Sequence, residues 1–499
     1  MAATARRLMI QGTGSHVGKS VLVAALCRLF VRKGLRVAPF KAQNMSNNSF
    51  VTPDGKEIAR AQAVQAAACR LAPRTDFNPI LIKPAGDREA QLVVGGVVAG
   101  SLQASDFGRV RREFEPVVRE AFLRLAAEFD LILLEGAGSP AEVNLREHDL
   151  VNMRMANLAN APVLLVGDID RGGVLAALVG TMALLTADER RHVKGFVINK
   201  FRGDLELLLP GIQTVEHVVQ RPCLGVVPYC RTIALPQEDA LEWATLSRVS
   251  NREDIVTIGV VDVPCLSNFT DFEALALEPD VCLQRIAGSN DSPPDVLIFP
   301  GTKNTPQALR FIRERRLDRL ARQVLDAGGT VLGICGGYQI LGRRILDPDG
   351  VESSERRLDG LQLLNTETTF SPRKITVPVV GVHRGFGAPV QGYEVHMGRT
   401  VLRDRTAPFL DVRQPHESSY RPDGAMSPDA RILGTYVHGL FDAPVFRRCF
   451  LNSIRERRGL PPLEPTAGPS LDGHLDHWAD FVARHLDLPG IEAVIDHPV

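Results

Sequence analysis

The sequence predicts an α/β protein of two parallel-sheet domains, and three observations carry that prediction. Short apolar runs alternate with amphipathic stretches through the first 240 residues, the pattern of a parallel sheet covered by helices. Glycine-rich or polar turns follow most of those runs, at the edge where open α/β sheets bind ligands. A polar stretch over 242–254 interrupts the pattern, and a second series of apolar runs then begins. A chain of 499 residues is also too long for one ordinary core.

The first series places strands at Leu8–Gln11, Val37–Phe40, Leu131–Leu134, Val163–Val166 and Gly195–Ile198. A helix is expected from Lys19 to Lys33, with Val21, Leu22, Ala25, Leu26 and Leu29 as its apolar stripe. The second series places strands at Ile255–Val261, Val296–Phe299, Thr330–Ile334 and Ile432–Val437. The expected division is a first domain over 1–240, a linker over 241–254, a second domain over 255–445 and a C-terminal extension over 446–499. That extension has a helical stretch near His474–Leu486, and its composition assigns it no task. No internal repeat or low-complexity segment interrupts the chain.

Composition narrows the function classes. Lys plus Arg and Asp plus Glu each total 58, so the formal net charge is zero. That balance argues against a nucleic-acid partner or an anionic membrane surface. No apolar stretch of signal-peptide or bilayer-spanning length follows Met1, so a cytoplasmic protein is expected. The eight cysteines show no CxxC spacing and read as free thiols in a reducing compartment. Seven of them need no role beyond packing.

The run Gly12, Thr13, Gly14, Ser15, His16, Val17, Gly18, Lys19 and Ser20 lies between a strand and a helix, the context of a phosphate-binding P-loop. Backbone N–H groups and the helix N-terminus would surround an anion there. Lys19 would reach the β- and γ-phosphates of ATP, and the Ser20 hydroxyl would sit on Mg²⁺. Five residues rather than four separate Gly12 from Gly18, and Thr13 stands in the usual first-glycine place. Glu135, closing the strand Leu131–Leu134, is a second candidate for Mg²⁺. Asn199, closing Gly195–Ile198, is a candidate for the adenine edge. This variant loop resembles that of dethiobiotin synthetase and its relatives, which use ATP to phosphorylate a carboxylate.

In the second series, Cys335 follows the strand Thr330–Ile334 and precedes two glycines. A tight turn between small neighbours is how a nucleophile is raised out of a sheet beside a helix N-terminus. His438 ends the last strand and is the candidate base. The backbone N–H groups of Gly301 and Gly336 would form an oxyanion hole. These features, over 255–445, resemble the flavodoxin-like class I glutamine amidotransferase domain. That class usually has a Glu two positions after the histidine, where Leu440 stands here. The third group is therefore absent, supplied from elsewhere with Asp442 and Glu394 as candidates, or replaced by a dyad.

Taken together, the chain resembles the cobyric acid synthases of cobalamin biosynthesis over nearly its whole length. The residues that carry this are Phe40-Lys-Ala-Gln-Asn-Met-Ser-Asn-Asn-Ser49, Asn78-Pro-Ile-Leu-Ile-Lys-Pro84, Glu135-Gly-Ala-Gly-Ser-Pro-Ala-Glu142, Gly167-Asp-Ile-Asp-Arg-Gly-Gly173, Asn199-Lys-Phe-Arg-Gly-Asp204, Ser267-Asn-Phe-Thr-Asp-Phe272 and Gly392-Tyr-Glu-Val-His-Met-Gly398. The resemblance implies ATP- and glutamine-dependent amidation of the b, d, e and g carboxylates of adenosylcobyrinic acid a,c-diamide. It implies a corrinoid or acyl-phosphate region at Lys41, Gln43, Asn44, Ser46, Asn47, Asn48, Asp168 and Asp170. The cobalt belongs to the substrate, so no protein metal ligand is expected beyond those for Mg²⁺ with ATP. The rival readings are a cobyrinic acid a,c-diamide synthase, a peptidoglycan-amidating enzyme and a partner-regulated P-loop ATPase. The asparagine-rich run argues against the first, fusion of both halves in one chain against the second, and Cys335 with His438 against the third.

Overall fold

The computed structural model describes residues 5–85, 89–103, 107–230, 253–288, 291–404, 406–465 and 470–497. The expected linker at 241–254 falls outside the described residues up to 252. Among the described residues, no helix is long and apolar enough to cross a membrane. All eight cysteines are free thiols.

The first sheet has six parallel strands in the order Cys223–Pro228, Val193–Phe201, Val163–Asp168, Arg6–Gly12, Leu131–Glu135 and Val37–Phe40. Its strands are apolar on both faces because both faces are covered. Ile132 and Leu134 enter one core, while Leu131 and Leu133 enter the other. The strand Arg6–Gly12 lies between Val163–Asp168 and Leu131–Glu135, where the strand order reverses. Such a switch point opens a crevice beyond the strand ends, and the glycine-rich run leaves the sheet there.

The second sheet runs Val281–Ile286, Val256–Val261, Val296–Phe299, Thr330–Ile334, Ile432–Thr435 and Ala425–Met426, with only the last strand antiparallel. Beside it lies a mixed sheet built on the hairpin Thr366–His383 and Pro389–Leu402. The strand expected over Ile432–Val437 is two pieces. Ile432–Thr435 pairs in parallel with Thr330–Ile334, whereas Val437–His438 pairs antiparallel with Tyr393 and Glu394. The change of sheet carries His438 out of the parallel layer and against the hairpin.

The last helices divide between the two sheets. Pro444–Arg457 packs Phe446, Phe450, Leu451 and Ile454 into the second core. Leu471–Ala483 and Leu488–Asp496 return to the first sheet, where Leu475, Trp478, Val482, Ile491 and Ile495 join the core around the helix Lys19–Arg32. The Trp478 indole N–H donates to the Val21 carbonyl at 2.7 Å. Arg28, fully buried, pairs with Asp472 and, at 3.7 Å, with Asp476. The C-terminal helices therefore clamp the helix that begins at Lys19. Deleting buried methyl groups at that contact leaves a cavity, so Leu475→Ala is expected to cost about 2–5 kcal/mol. Chemical denaturation followed through the first domain checks this; an unchanged midpoint would mean that the last helices do not share its core.

Candidate active site

The nucleotide loop leaves the sheet at Gly12 and turns into the helix through Gly18, whose φ of 95° and ψ of 22° suit glycine. A Cβ on Gly18 would lie 2.1 Å from the Asn199 amide nitrogen, so the loop closes against that strand end. Asn199 Nδ2 donates to the Val17 carbonyl at 2.8 Å, and Lys200 Nζ to the His16 carbonyl at 2.7 Å. The amide predicted at the adenine edge thus braces the loop. Lys19 Nζ donates to the carbonyls of Gly14 at 2.8 Å and Gly138 at 3.2 Å. Its ammonium therefore lies across the loop formed by Gly12, Thr13, Gly14, Ser15 and His16.

The buried Glu135 carboxylate is the centre of this site. Its Oε1 accepts from Ser20 Oγ at 2.7 Å and from Lys41 Nζ at 2.9 Å, and its Oε2 from Gln65 Nε2 at 2.5 Å. Burial pushes the Glu135 carboxyl up, but the Lys41 charge and the bonds from Lys41, Ser20 and Gln65 outweigh it and hold the group below the ordinary carboxylate range. A hydroxyl and an ionised carboxylate are the hard oxygen donors a small divalent cation takes. Among the described residues no cluster of three His, Cys, Asp or Glu exists that could hold a metal on its own. Ser20 and Glu135 are thus donors whose chemistry would fit Mg²⁺.

The asparagine-rich run continues from Lys41. Asn44 Nδ2 donates to Gln62 Oε1 at 2.7 Å, and Gln43 lies on a short strand paired with Ile80. Ser46 Oγ accepts from the Asn48 N–H at 3.0 Å. The Gln62 Nε2, Gln65 Oε1 and Asn47 Oδ1 atoms are buried without a hydrogen-bond partner, as expected where a polar ligand completes the site. Gln62 and Gln65 are absent from the sequence reading. Their signal was two glutamines three residues apart on one face of an alanine-rich helix. Asp168 and Asp170 stand apart from Glu135: Lys200 holds Asp168 at 3.1 Å and Arg202 holds Asp170 at 2.8 Å.

The second site is built at the edge of the other sheet. Cys335 has φ 53° and ψ −109°, a strained conformation for a residue with a Cβ. Its neighbours make room for it: a Cβ on Gly337 would fall 1.9 Å from the Phe299 carbonyl oxygen, and one on Gly333 2.7 Å from Gly337. The sulfur points towards the Val395 carbonyl at 3.6 Å, and it lies near enough to His438 to help raise the imidazole pKa. Gly301 lies against the His438 ring, and a Cβ on Gly336 would lie 3.2 Å from the Thr302 nitrogen. The turn after Phe299 and the start of the helix at Gly336 thus meet beside Cys335.

His438 has a carboxylate partner that neither sequence candidate supplies. His438 Nδ1 lies 2.7 Å from Asp271 Oδ2, and the Gly439 N–H donates to Asp271 Oδ1 at 2.8 Å. Asp442 instead pairs with Arg60 at 3.3 Å, and Glu394 with Arg421 at 2.8 Å and His396 at 3.3 Å. Asp271 precedes His438 by 167 residues, so no local spacing points to it. The signal was the Ser267-Asn-Phe-Thr-Asp-Phe272 run itself. Burial alone would lower the His438 pKa. The charges of Asp271 and Cys335, with their hydrogen bonds, reverse that and raise it to about 10. A carboxylate, an imidazole and a thiol in this order form the constellation of nucleophilic acyl transfer.

Residues 8–241 match the CobQ/CobB/MinD/ParA nucleotide binding domain, and residues 257–446 match the CobB/CobQ-like glutamine amidotransferase domain. A cobyric acid synthase of Clostridium acetobutylicum is 44% identical over 491 residues, covering 98% of each chain. A cobyric acid synthase of Streptococcus sanguinis is 42% identical over 496 residues, covering 98% of this chain and 99% of its own.

The raised His438 pKa has a consequence for stability. The folded value of about 10 exceeds the ordinary 6.5, so the pair stabilises fully below about 6.5 and loses its contribution as pH rises towards 10. Asp271→Asn is therefore expected to lower the melting temperature most at pH 6 and progressively less towards pH 10. Equal losses at both ends of a melting series would contradict an ionised pair.

Proposed function

The chain belongs to the cobyric acid synthase family, and on that premise we propose that it amidates the b, d, e and g carboxylates of adenosylcobyrinic acid a,c-diamide with ATP and glutamine. The observation that carries the reading is the pairing of two sites in one chain: Lys19, Ser20, Lys41 and Glu135 around the nucleotide loop, and Cys335, His438 and Asp271 at the second sheet. Residues 1–240 form the synthetase half and residues 255–445 the glutaminase half in this reading. The eight free thiols support a cytoplasmic setting.

In the glutaminase half, the Cys335 sulfur attacks the carboxamide carbon of glutamine and the C–N bond breaks. His438, protonated at neutral pH and held by Asp271, donates its proton to the departing nitrogen, which leaves as ammonia. The backbone N–H groups of Gly301 and Gly336 are proposed to receive the oxyanion. Water then hydrolyses the thioester, releasing glutamate and restoring the thiol.

In the synthetase half, Lys19 neutralises the phosphates of ATP, and the loop backbone cradles them. Ser20 and Glu135 are the residues that would hold Mg²⁺, which supplies further charge neutralisation at the phosphates. Lys41 stands beside Glu135, placed to offset the charge of a substrate carboxylate as it attacks the γ-phosphorus and ADP departs. Ammonia then adds to the resulting acyl phosphate, inorganic phosphate leaves, and the amide remains. The polar run from Gln43 to Asn48, with Gln62 and Gln65, supplies amides suited to a substrate with many carboxylates and carboxamides.

Purified enzyme with ATP, Mg²⁺ and the corrinoid, given either glutamine or ammonium, tests the assignment by mass spectrometry. Wild type is expected to add four amides stepwise with either nitrogen source. Cys335→Ala is expected to lose glutamine-driven amidation by at least about 1,000-fold while keeping ammonium-driven amidation. Glu135→Gln is expected to lower both by at least about tenfold. An unchanged corrinoid with wild type and both nitrogen sources would overturn the acceptor assignment.

A further inference from the structure

The turn that carries Asp271 is bound to the asparagine-rich run of the other half. The Phe269 N–H donates to Asn48 Oδ1 at 3.0 Å, and the Ser49 N–H donates to Asn268 Oδ1 at 2.9 Å. Two amide side chains thus cross between segments more than 200 residues apart, each accepting from the other segment's backbone. Asn268, at φ 52° and ψ 45°, also accepts from the Asp271 N–H through its carbonyl at 2.9 Å. The Asp271 carboxylate then reaches His438. A third contact meets the same place: the Tyr393 hydroxyl donates to the Ser49 carbonyl at 2.8 Å, and its ring stacks on His438 with centroids 5.5 Å apart.

These bonds are buried. Asn48, Ser49, Asn268, Asp271, Tyr393 and His438 all lie in the interior. A buried polar group left without its partner destabilises its own geometry, so the crossing bonds hold the turn in one place. A catalytic imidazole tolerates little displacement, because its carboxylate partner fixes its aim at the sulfur.

We propose that Asn48 and Asn268 are positioning residues of the glutaminase: their crossed hydrogen bonds make the synthetase half part of the apparatus that aims His438 at Cys335. The proposal rests on the reading of Cys335 and His438 as a glutaminase. It adds that glutamine cleavage depends on a segment that starts at Lys41, beside Glu135 and the nucleotide loop. Asn44, Asn48 and Ser49 then serve two sites from one stretch of backbone.

Position 268 allows a clean test, since its left-handed backbone suits glycine and tolerates aspartate. Asn268→Gly keeps the backbone and removes the acceptor, whereas Asn268→Asp keeps an oxygen where Ser49 donates. Glutamine hydrolysis by the full chain is measured without corrinoid, with melting temperatures taken on the same samples. The Gly variant is expected to lose about tenfold in kcat, as one buried hydrogen bond allows, with KM for glutamine within about twofold. The Asp variant is expected to recover most of that loss. Tyr393→Phe, which keeps the ring over His438 and removes the bond to Ser49, is expected to lower kcat several-fold. Wild-type kcat in the Gly and Phe variants would overturn the proposal, as would an Asp variant no better than Gly. If wild type cleaves glutamine but amidates no corrinoid, the acceptor reading fails, and these kcat ratios still decide the positioning role.

Discussion

A buried carboxylate facing a buried imidazole is the constraint on which the rest of this structure depends. Asp271 and His438 lie 2.7 Å apart with almost no exposure to water, so each would be costly to bury without the other. Satisfying that pair determines much around it. The turn over Ser267–Phe272 must lie against the Gly439 N–H, and the chain after Ile432–Thr435 must leave the parallel sheet to bring His438 round. Ser267 is tied to the Gly301 carbonyl at 2.9 Å, so the same turn braces the loop beside Cys335. Conformational strain at Cys335 persists because its N–H is held by the Thr435 carbonyl at 2.8 Å and the glycines after it pack against Phe299 and Thr302.

The nucleotide side has a parallel logic with a different central group. Glu135 ends the strand beside the nucleotide loop and gathers Ser20, Lys41 and Gln65 on two oxygens. Lys41 opens the polar run that ends at Asn48 and Ser49, where the halves meet. Other ionic contacts join the halves close by: Lys374 of the long hairpin pairs with Glu57, which also holds Lys83, and Arg60 pairs with Asp442. Two lysines hold the Glu57 carboxyl well below its ordinary range against the opposing push of burial. The interface therefore combines buried ion pairs with an apolar contact of Val51 and Phe50 against Tyr393 and Val395, and its ionic partners favour one relative arrangement of the two sites.

The inner parallel strands were legible because they are buried on both faces and so read as unbroken apolar runs closed by glycine or polar turns, whereas the edge strands Cys223–Pro228 and Val281–Ile286, partly exposed, were not. The nucleotide loop and the Cys335 elbow were legible because steric demands leave few alternatives to glycine at Gly18, Gly333 and Gly337. The hairpin Thr366–His383 with Pro389–Leu402 escaped detection, since it is partly exposed, carries a register shift between Phe370 and Ile375, and includes Pro378. Asp271 was hidden by chain separation rather than by chemistry. The C-terminal helix was visible, but its destination was not. Asp472, Asp476 and Asp480 repeat every four residues along that helix, and they meet Arg28 and Arg32 of the first helix.

The central claim is that glutamine cleavage and amide formation are one process in one chain, with ammonia passing from the Cys335 site to the synthetase site. Isotope partitioning tests it most directly. The enzyme turns over the corrinoid with amide-¹⁵N glutamine in the presence of a large excess of unlabelled ammonium, and the product is weighed after each amidation. The account predicts that new amides carry ¹⁵N far beyond its share of the bulk nitrogen pool. A label diluted in proportion to bulk ammonium would mean that ammonia escapes before use, and would contradict the account.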